Sequence, residues 1–567
     1  MKATGSRPSP DIGSAVKMNY TELQPFWTKR VATDSGRDPL GLSRLGDVLK
    51  DELLSGITSN NNRARYYSFY CWALWHIERV ERPADENSFV SAFQRREAAM
   101  AMATKLDDSS SAPVGVRAVG PRLEKSDKHG ELDCDFRVLP ANRLGGYGQY
   151  YSGSLYRLGL TYRPEDAAHD LVTKGCGEEL AKSFHSALER TPYIEKSLFK
   201  WRRIKWKDLE EIRHHFSLEA LTKPFCRRER DLLTEIFFDL GGEKPERRSG
   251  SLCLLLHATA EYERQGVQPV TGPNGELDDY LLYAFYYKSL WLENKRIPYR
   301  PPKELGRICD LWGQFCLHQF LTQALEYLLC AVLDAVGNES NGLPLADLIG
   351  QLLDEEFLET FRELVGQRCA SPHHLLTAIG VDAQPSEYDS RQLQRKLLPT
   401  HEWSEAQLLL MEWGSPGRQC SIALALLCTL YGKWRGINDE VTAVVNEVAG
   451  GALFAGRILP TLDGWSNPLR TWESALSELV DQFVIRLHDR VWLEKGKIES
   501  RWLDCSDGHI RKVQDYMPGW RSSRHFSAVR VMADLGLIKI GQDRDLSVTL
   551  RGRRVLEEAL KLDHGAY

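Results

Sequence analysis

The segment DLWGQFCLHQFLTQALEYLLCAVLDAV, Asp310 to Val336, places apolar residues on nearly every face of a 3.6-residue period. A surface helix keeps one face for water, and this run keeps almost none. It predicts a central helix, buried at least in part, that the rest of the chain encloses. No stretch of about 18 consecutive apolar residues occurs, so a membrane span is not expected. Residues 1–19 lack the apolar core of a secretion signal, which makes the expected location cytoplasmic, without a membrane partner.

A second apolar run, NNNRARYYSFYCWALWHIE (Asn60 to Glu78), sets Tyr66, Tyr67, Phe69, Tyr70, Trp72 and Trp75 within ten positions. At helical spacing these rings surround the axis and cannot form one stacking face, so burial is the expectation. Asn60 to Asn62 offer an N-cap, and Pro83 ends the helix at the latest. Arg63 and Arg65 precede the aromatic run and read as free for function. Upstream, DPLGLSRLGDVLKDELLSGI has the spacing of an amphipathic helix.

A chain of 567 residues exceeds what one core ordinarily serves, and its 42% hydrophobic and 27% charged content is that of a globular protein. The expected class is mainly α. A disordered 1–19 precedes a helical domain over 20–190 ending in a winged-helix-like module. Helical domains over 191–335 and 336–480 follow, and then a winged-helix domain over 481–567. The twelve cysteines stand singly, with no pair at knuckle spacing, and read as reduced, buried, small hydrophobes.

The modules rest on a repeat. SSRHFSAVRVMADLGLIKIGQDRDLSVTLRGRRVLEEAL reads as helix, Leu535-Gly536-Leu537, hairpin, helix, with Ser522 or Ser523 as cap. GSLYRLGLTYRPEDAAHDLVTKGCGEELAKSF repeats the order around Leu158-Gly159-Leu160. Leu158 to Leu180 is 22 residues and Leu535 to Leu556 is 21. This order resembles the second half of a winged helix-turn-helix, in which a helix enters the major groove and the hairpin reaches a phosphate.

With a net charge of -5, nucleic-acid binding requires a local basic surface. Residues 481–567 hold 16 Lys or Arg against 13 Asp or Glu. Arg521, Arg524, His525, Arg530, Lys539 and Arg544 fall on or beside the proposed helix and wing, although Asp543 and Asp545 share the tip. The segment KSLFKWRRIKWK is expected to carry Lys196, Lys200 and Arg203 on one helical face, opposite Ile194, Leu198 and Trp201. Asp208 and Glu211 then suggest a capping box.

Other constellations are weaker. GELDCDFR alternates Glu131, Asp133 and Asp135, a pattern that can hold magnesium for phosphodiester cleavage but reads equally as a charged loop. Cys369 with His373-His374 is a poor metal set, and His214-His215 read as structural. The glycines of GGYGQYYSG (145–153) do not follow a phosphate-cradling order, and no catalytic or metal residue and no cofactor is assigned.

The pieces DPLGLSRLGDVLKDELLSGIT (38–58), RARYYSFYCWALW (63–75), GGYGQYYSGSLYRLGL (145–160) and, more loosely, LWGQFCLHQFLTQALEYLL (311–329) resemble an uncharacterised bacterial protein family associated with anti-phage defence clusters. Ser55 stands where that group usually has proline. The resemblance implies a component of a multi-protein defence system that handles DNA, with no activity or catalytic residue to carry over. The expected function is a non-catalytic DNA-binding or adaptor subunit acting on duplex DNA beside an ATPase, helicase or nuclease. A metal-dependent nuclease and a protein–protein scaffold are the alternatives.

Overall fold

The computed structural model describes residues 38–562, apart from 166, 168, 240–241, 243, 267–283, 293–294, 338, 382–404, 406–407, 410, 497, 506, 520 and 542–544. The expected disorder of 1–19, and Arg544 at the wing tip, lie outside them. Helices take up 66% and strands 6%, so the fold is mainly α. In chain order the helices are α1 (Ser43–Leu53), α2 (Arg65–His76), α3 (Glu86–Asp107), α4 (Val116–Lys125), α5 (Ser152–Arg157), α6 (Cys176–Leu188), α7 (Pro192–Glu195), α8 (Trp206–Phe216), α9 (Arg227–Phe238) and α10 (Pro245–Arg264). They continue with α11 (Gly306–Val336), α12 (Leu345–Leu352), α13 (Glu355–Val365), α14 (Pro372–Ile379), α15 (Pro416–Arg435), α16 (Asp439–Ala449), α17 (Ala455–Ile458), α18 (Trp472–Val480), α19 (Arg486–Lys495), α20 (His525–Asp534) and α21 (Leu550–Leu562). Among the described residues there are also short 3₁₀ and π-helical turns and five antiparallel strand pairs: β1 (Glu131–Asp133) with β4 (Arg203–Lys205), β2 (Thr161–Tyr162) with β3 (Leu171–Val172), β5 (Ser289–Leu292) with β6 (Lys295–Pro298), β7 (Leu503–Asp504) with β8 (Arg511–Lys512), and β9 (Ile538–Ile540) with β10 (Leu546–Val548).

The all-round apolar run becomes α11. It is the one described helix long and apolar enough to cross a membrane, and its apolar window is wholly buried inside the protein. It packs chiefly on α15, with α1, α10, α12 and α16 around it. The aromatic run becomes α2, buried along nearly its whole length against α6. Its rings join a wider cluster in which Tyr66 stacks on Tyr70 at 5.4 Å and Tyr70 on Phe93 at 6.0 Å. Ten of the twelve cysteines are buried, and none of the twelve forms a disulfide among the described residues.

The repeated order is realised twice as helix, hairpin, helix: α5–β2–β3–α6 and α20–β9–β10–α21. The two units share the same hydrogen bonds. Gly159 and Gly536 both take the left-handed conformation, with φ +67° and +71°. Leu160 N–H donates to Leu155 O, and Leu537 N–H to Met532 O, each at 2.9 Å. Thr173 Oγ1 donates to Gly159 O and Thr549 Oγ1 to Gly536 O, each at 2.7 Å. Each hairpin is thereby pinned to its first helix by one threonine.

Local details differ from the sequence expectation. The 196–207 segment is not one helix: Ser197 has φ +52°, a short 3₁₀ turn spans Leu198–Lys200, and β4 follows. Lys196, Lys200 and Arg203 therefore share no helical face, and Trp201 is exposed rather than packed. α8 begins at Trp206, which puts Asp208 inside its first turn, where it pairs with Lys196 at 2.8 Å instead of capping. α2 starts from Ala64 without a side-chain cap, and Asn61 instead donates to Tyr150 O and Ser154 Oγ. α20 starts from Arg524, with φ +69° and no side-chain cap.

Candidate nucleic-acid interface

Several cations expected at a DNA surface are turned inward. The Arg65 side chain has no exposed surface. Its guanidinium pairs with buried Glu229 at 3.3 Å and donates to Ser217 O and to His215 O, closing the C-terminal end of α8. Arg63 pairs with Asp534 of α20 and with Glu219, each at 3.0 Å, and these carboxylates hold its guanidinium charged against the desolvation it suffers. Arg65 is fully buried and Arg63 nearly so, and a cation so placed and already paired with carboxylates is not free to meet a phosphate, so the reading of both arginines as free is corrected.

The helix α20, placed by the winged-helix analogy in the major groove, is mostly covered by the rest of the chain, with Phe526 exposed and Arg530 half-buried on its remaining face. Arg524 donates to Asp51 Oδ1 at 2.6 Å and to Ile57 O at 3.2 Å. His525 is fully buried, its ring 4.3 Å from that of Trp312. Ser527 Oγ donates to Ser59 O, and Lys50 Nζ to Ser522 O. Asp51 also takes Arg157 at 2.8 Å, so one carboxylate of α1 joins both helix–hairpin–helix units. Arg524 and His525 thus act as docking residues. Arg521 is half-buried near Glu326 and Tyr516, Arg530 is half-buried with its guanidinium 5.8 Å from the Phe526 ring centroid, and Lys539 is exposed on β9.

Two basic surfaces do reach solvent. In the first, Lys196, Lys200 and Arg203 are exposed together with Trp201, Arg202, Lys205 and Lys207. Strand register sets Arg203 opposite Asp133 and Lys205 opposite Glu131, and Arg202 approaches Asp133 and Asp135 at 3.7 and 3.8 Å. Much of this strip's charge is balanced by the very carboxylates read as a nuclease candidate. Among the described residues no group of three His, Cys, Asp or Glu converges to hold a metal ion, the Cys369 and His373-His374 set included.

The second surface escaped the sequence reading. A groove of about 960 Å³ runs between α9 and α21. The helices lie side by side in parallel: Arg551 pairs with Asp231 at 2.8 Å near their starts, and Asp239 feels Glu558 further along. Arg227, Arg230, Arg551 and Arg554 line the groove toward the helix starts, with Arg228 exposed on the same turn of α9, and Asp239 and Glu558 line it further along. Glu235 lies between, one residue past Thr234, whose Oγ1 accepts from Arg551 at 3.0 Å. Arg553 turns away to Glu263. The signal was present as RRER and RGRR, each opening a helix, but nothing in the order of residues tells that the two starts, over 300 positions apart, adjoin.

The glycine-rich turn at 145–148 has a structural explanation. A Cβ on Gly145 would lie 1.7 Å from Glu97 Oε2, and one on Gly146 2.6 Å from Tyr70 Oη. The glycines let the backbone close on a buried carboxylate, to which Gly146 N–H and Tyr70 Oη–H both donate at 2.8 Å. Burial pushes the Glu97 carboxyl up to about 7, against those two hydrogen bonds.

Fold and surface together define a mainly α protein with two matched helix–hairpin–helix units and a polarised basic groove. Compared with known protein families, curated proteins and solved structures, the chain matches none.

Proposed function

We propose that the chain is a DNA-binding or adaptor subunit without catalysis of its own. It would work beside an ATPase, helicase or nuclease in a bacterial anti-phage system, with duplex DNA meeting the arginine end of the α9–α21 groove. The supporting observation is that four arginines, Arg227, Arg230, Arg551 and Arg554, line the groove on two parallel helix starts, with exposed Arg228 beside them and Asp231 and Glu235 as the nearest carboxylates. Each cation there opposes a helix dipole at about 0.3–1 kcal/mol. A sequence that keeps this arrangement leaves a surface whose field a phosphate chain relieves. On this reading α20, largely docked against the rest of the chain, is not the element that meets DNA.

Fluorescence anisotropy of a labelled duplex at 50 and 200 mM salt tests this. Affinity is expected to fall by about tenfold or more across that range, and Arg228→Glu with Arg554→Glu to weaken binding and flatten the salt slope by about 2. Absence of binding at low salt, or an unchanged slope in the double variant, overturns it. The docked α20 favours the scaffold as second reading, and a stoichiometric protein partner co-purifying without nucleic acid supports that outcome.

A further inference from the structure

A different cavity, of about 650 Å³, lies between the β5–β6 pair, α11 and the junction of α15 with α16. Its size is that of a small-molecule site, ~300–1,000 Å³. One wall is aromatic: Phe285, Tyr286, Tyr287 and Tyr299 line it, Tyr286 half-buried and the other three buried. The charged groups are Lys288, Arg300, Asp310 and Lys433.

These charges are not equivalent. Lys433 Nζ sits 4.1 and 4.6 Å from the ring centroids of Tyr286 and Tyr287, and is paired with Glu405, which is fully buried and also accepts from Tyr286 Oη at 2.9 Å. This lysine fixes the aromatic wall. Lys288 pairs with Asp310 at 2.7 Å while remaining half-exposed to the cavity. Its φ of +50°, uncommon for a lysine, places it opposite Tyr299, whose N–H donates to Lys288 O. Arg300 is exposed on the next residue, and no hydrogen bond or ion pair engages its guanidinium among the described residues. With Glu405 and Asp310 set against Lys433 and Lys288, one positive charge is left over, and it belongs to the group best shaped to grip two phosphate oxygens at once.

We infer that this cavity binds a small ring-bearing phosphate of the nucleoside monophosphate class, its phosphate on Arg300 and Lys288 and its ring against the tyrosine wall. The inference is independent of the DNA surface. Arg300 and the α9–α21 arginines belong to different elements, so the two can fail separately.

Isothermal titration of the full chain with AMP, adenosine, ribose 5-phosphate and inorganic phosphate tests it. AMP is expected to bind with one-to-one stoichiometry, and each partial ligand at least about tenfold more weakly. Arg300→Ala and Lys288→Ala are expected each to weaken AMP at least about tenfold while the melting temperature and duplex-DNA anisotropy stay as in the parent chain. Lys433→Met is expected to lose binding together with stability and serves only as a contrast. No AMP binding at millimolar concentration overturns the proposal. So does AMP affinity equal to that of inorganic phosphate, or affinity unchanged in both alanine variants.

Discussion

Arg63 Nε lies 3.0 Å from Asp534 Oδ2, an ion pair between residues 471 positions apart that ties the start of α2 to the end of α20. Ala64 N–H donates to the same oxygen at 2.8 Å. Both side chains are nearly excluded from solvent, at 10% and 15% exposure. The C-terminal unit is thereby held against the start of α2 by a charge pair that neither side can leave uncompensated.

Removing one partner strands the other. Arg63→Ala and Asp534→Ala are each expected to destabilise the protein by about 3–5 kcal/mol, and the double variant by clearly less than the sum. Chemical unfolding of all four proteins gives the coupling. Additive losses would mean that the contact carries no energy of its own.

The matched units predict matched sensitivities. A Cβ on Gly177 would fall 2.3 Å from Leu160 O, and one on Gly552 2.2 Å from Leu537 O, in both cases the carbonyl that the hairpin threonine also contacts. Gly177→Ala and Gly552→Ala are each expected to cost about 1–3 kcal/mol through overpacking against backbone. Gly120→Ala, in α4 with nothing near its Cβ, is expected to gain up to about 1 kcal/mol. Thermal melts of the three variants check the contrast.

These contacts mark where sequence reasoning stops. The burial of α2 and α11 was legible because periodicity reports which faces lack polar groups, and the Leu-Gly-Leu junctions because a left-handed glycine between leucines is a local requirement. Whether Arg63, Arg65, Arg524 and His525 face water was not legible. Their carboxylate and aromatic partners, Asp534, Glu229, Asp51 and Trp312, come from distant segments, and local order says nothing of what a flank meets. The 196–207 segment failed for a local reason: the turn at Ser197 and the pairing of β4 with β1 override a helical charge pattern that is only a weak preference.

Glu97 predicts a pH dependence. Its carboxyl, raised from 4.5 to about 7 chiefly by burial, keeps in the fold a proton that the unfolded chain releases. The stability this contributes is fully present below pH 4.5 and is lost as pH rises through 7, about 3 kcal/mol in all. Glu326, buried in α11 and pushed up to about 8, adds a slope of the same sign. Unfolding free energies at pH 5 and 8 are expected to differ less in Glu97→Gln than in the parent chain, with the gain at pH 8. An identical difference in both proteins would show Glu97 to be ionised throughout.

The strip around Trp201 separates surface function from fold. Trp201 is 62% exposed, and Lys200 beside it is open to solvent. Substitution at such positions is expected to move stability by no more than about 0.5 kcal/mol. The strip leads into α8, an 11-residue helix about 16 Å long, and the arginine-bearing start of α9 follows soon after that helix ends. A duplex lying on both surfaces would lose one phosphate contact with Lys200→Ala, so the salt slope of binding is expected to fall by about 1, and Trp201→Ala to weaken binding at every salt concentration without changing the slope. If both variants bind as the parent does while Arg228→Glu with Arg554→Glu does not, the groove alone contacts DNA, and the carboxylates of β1 already satisfy the strip.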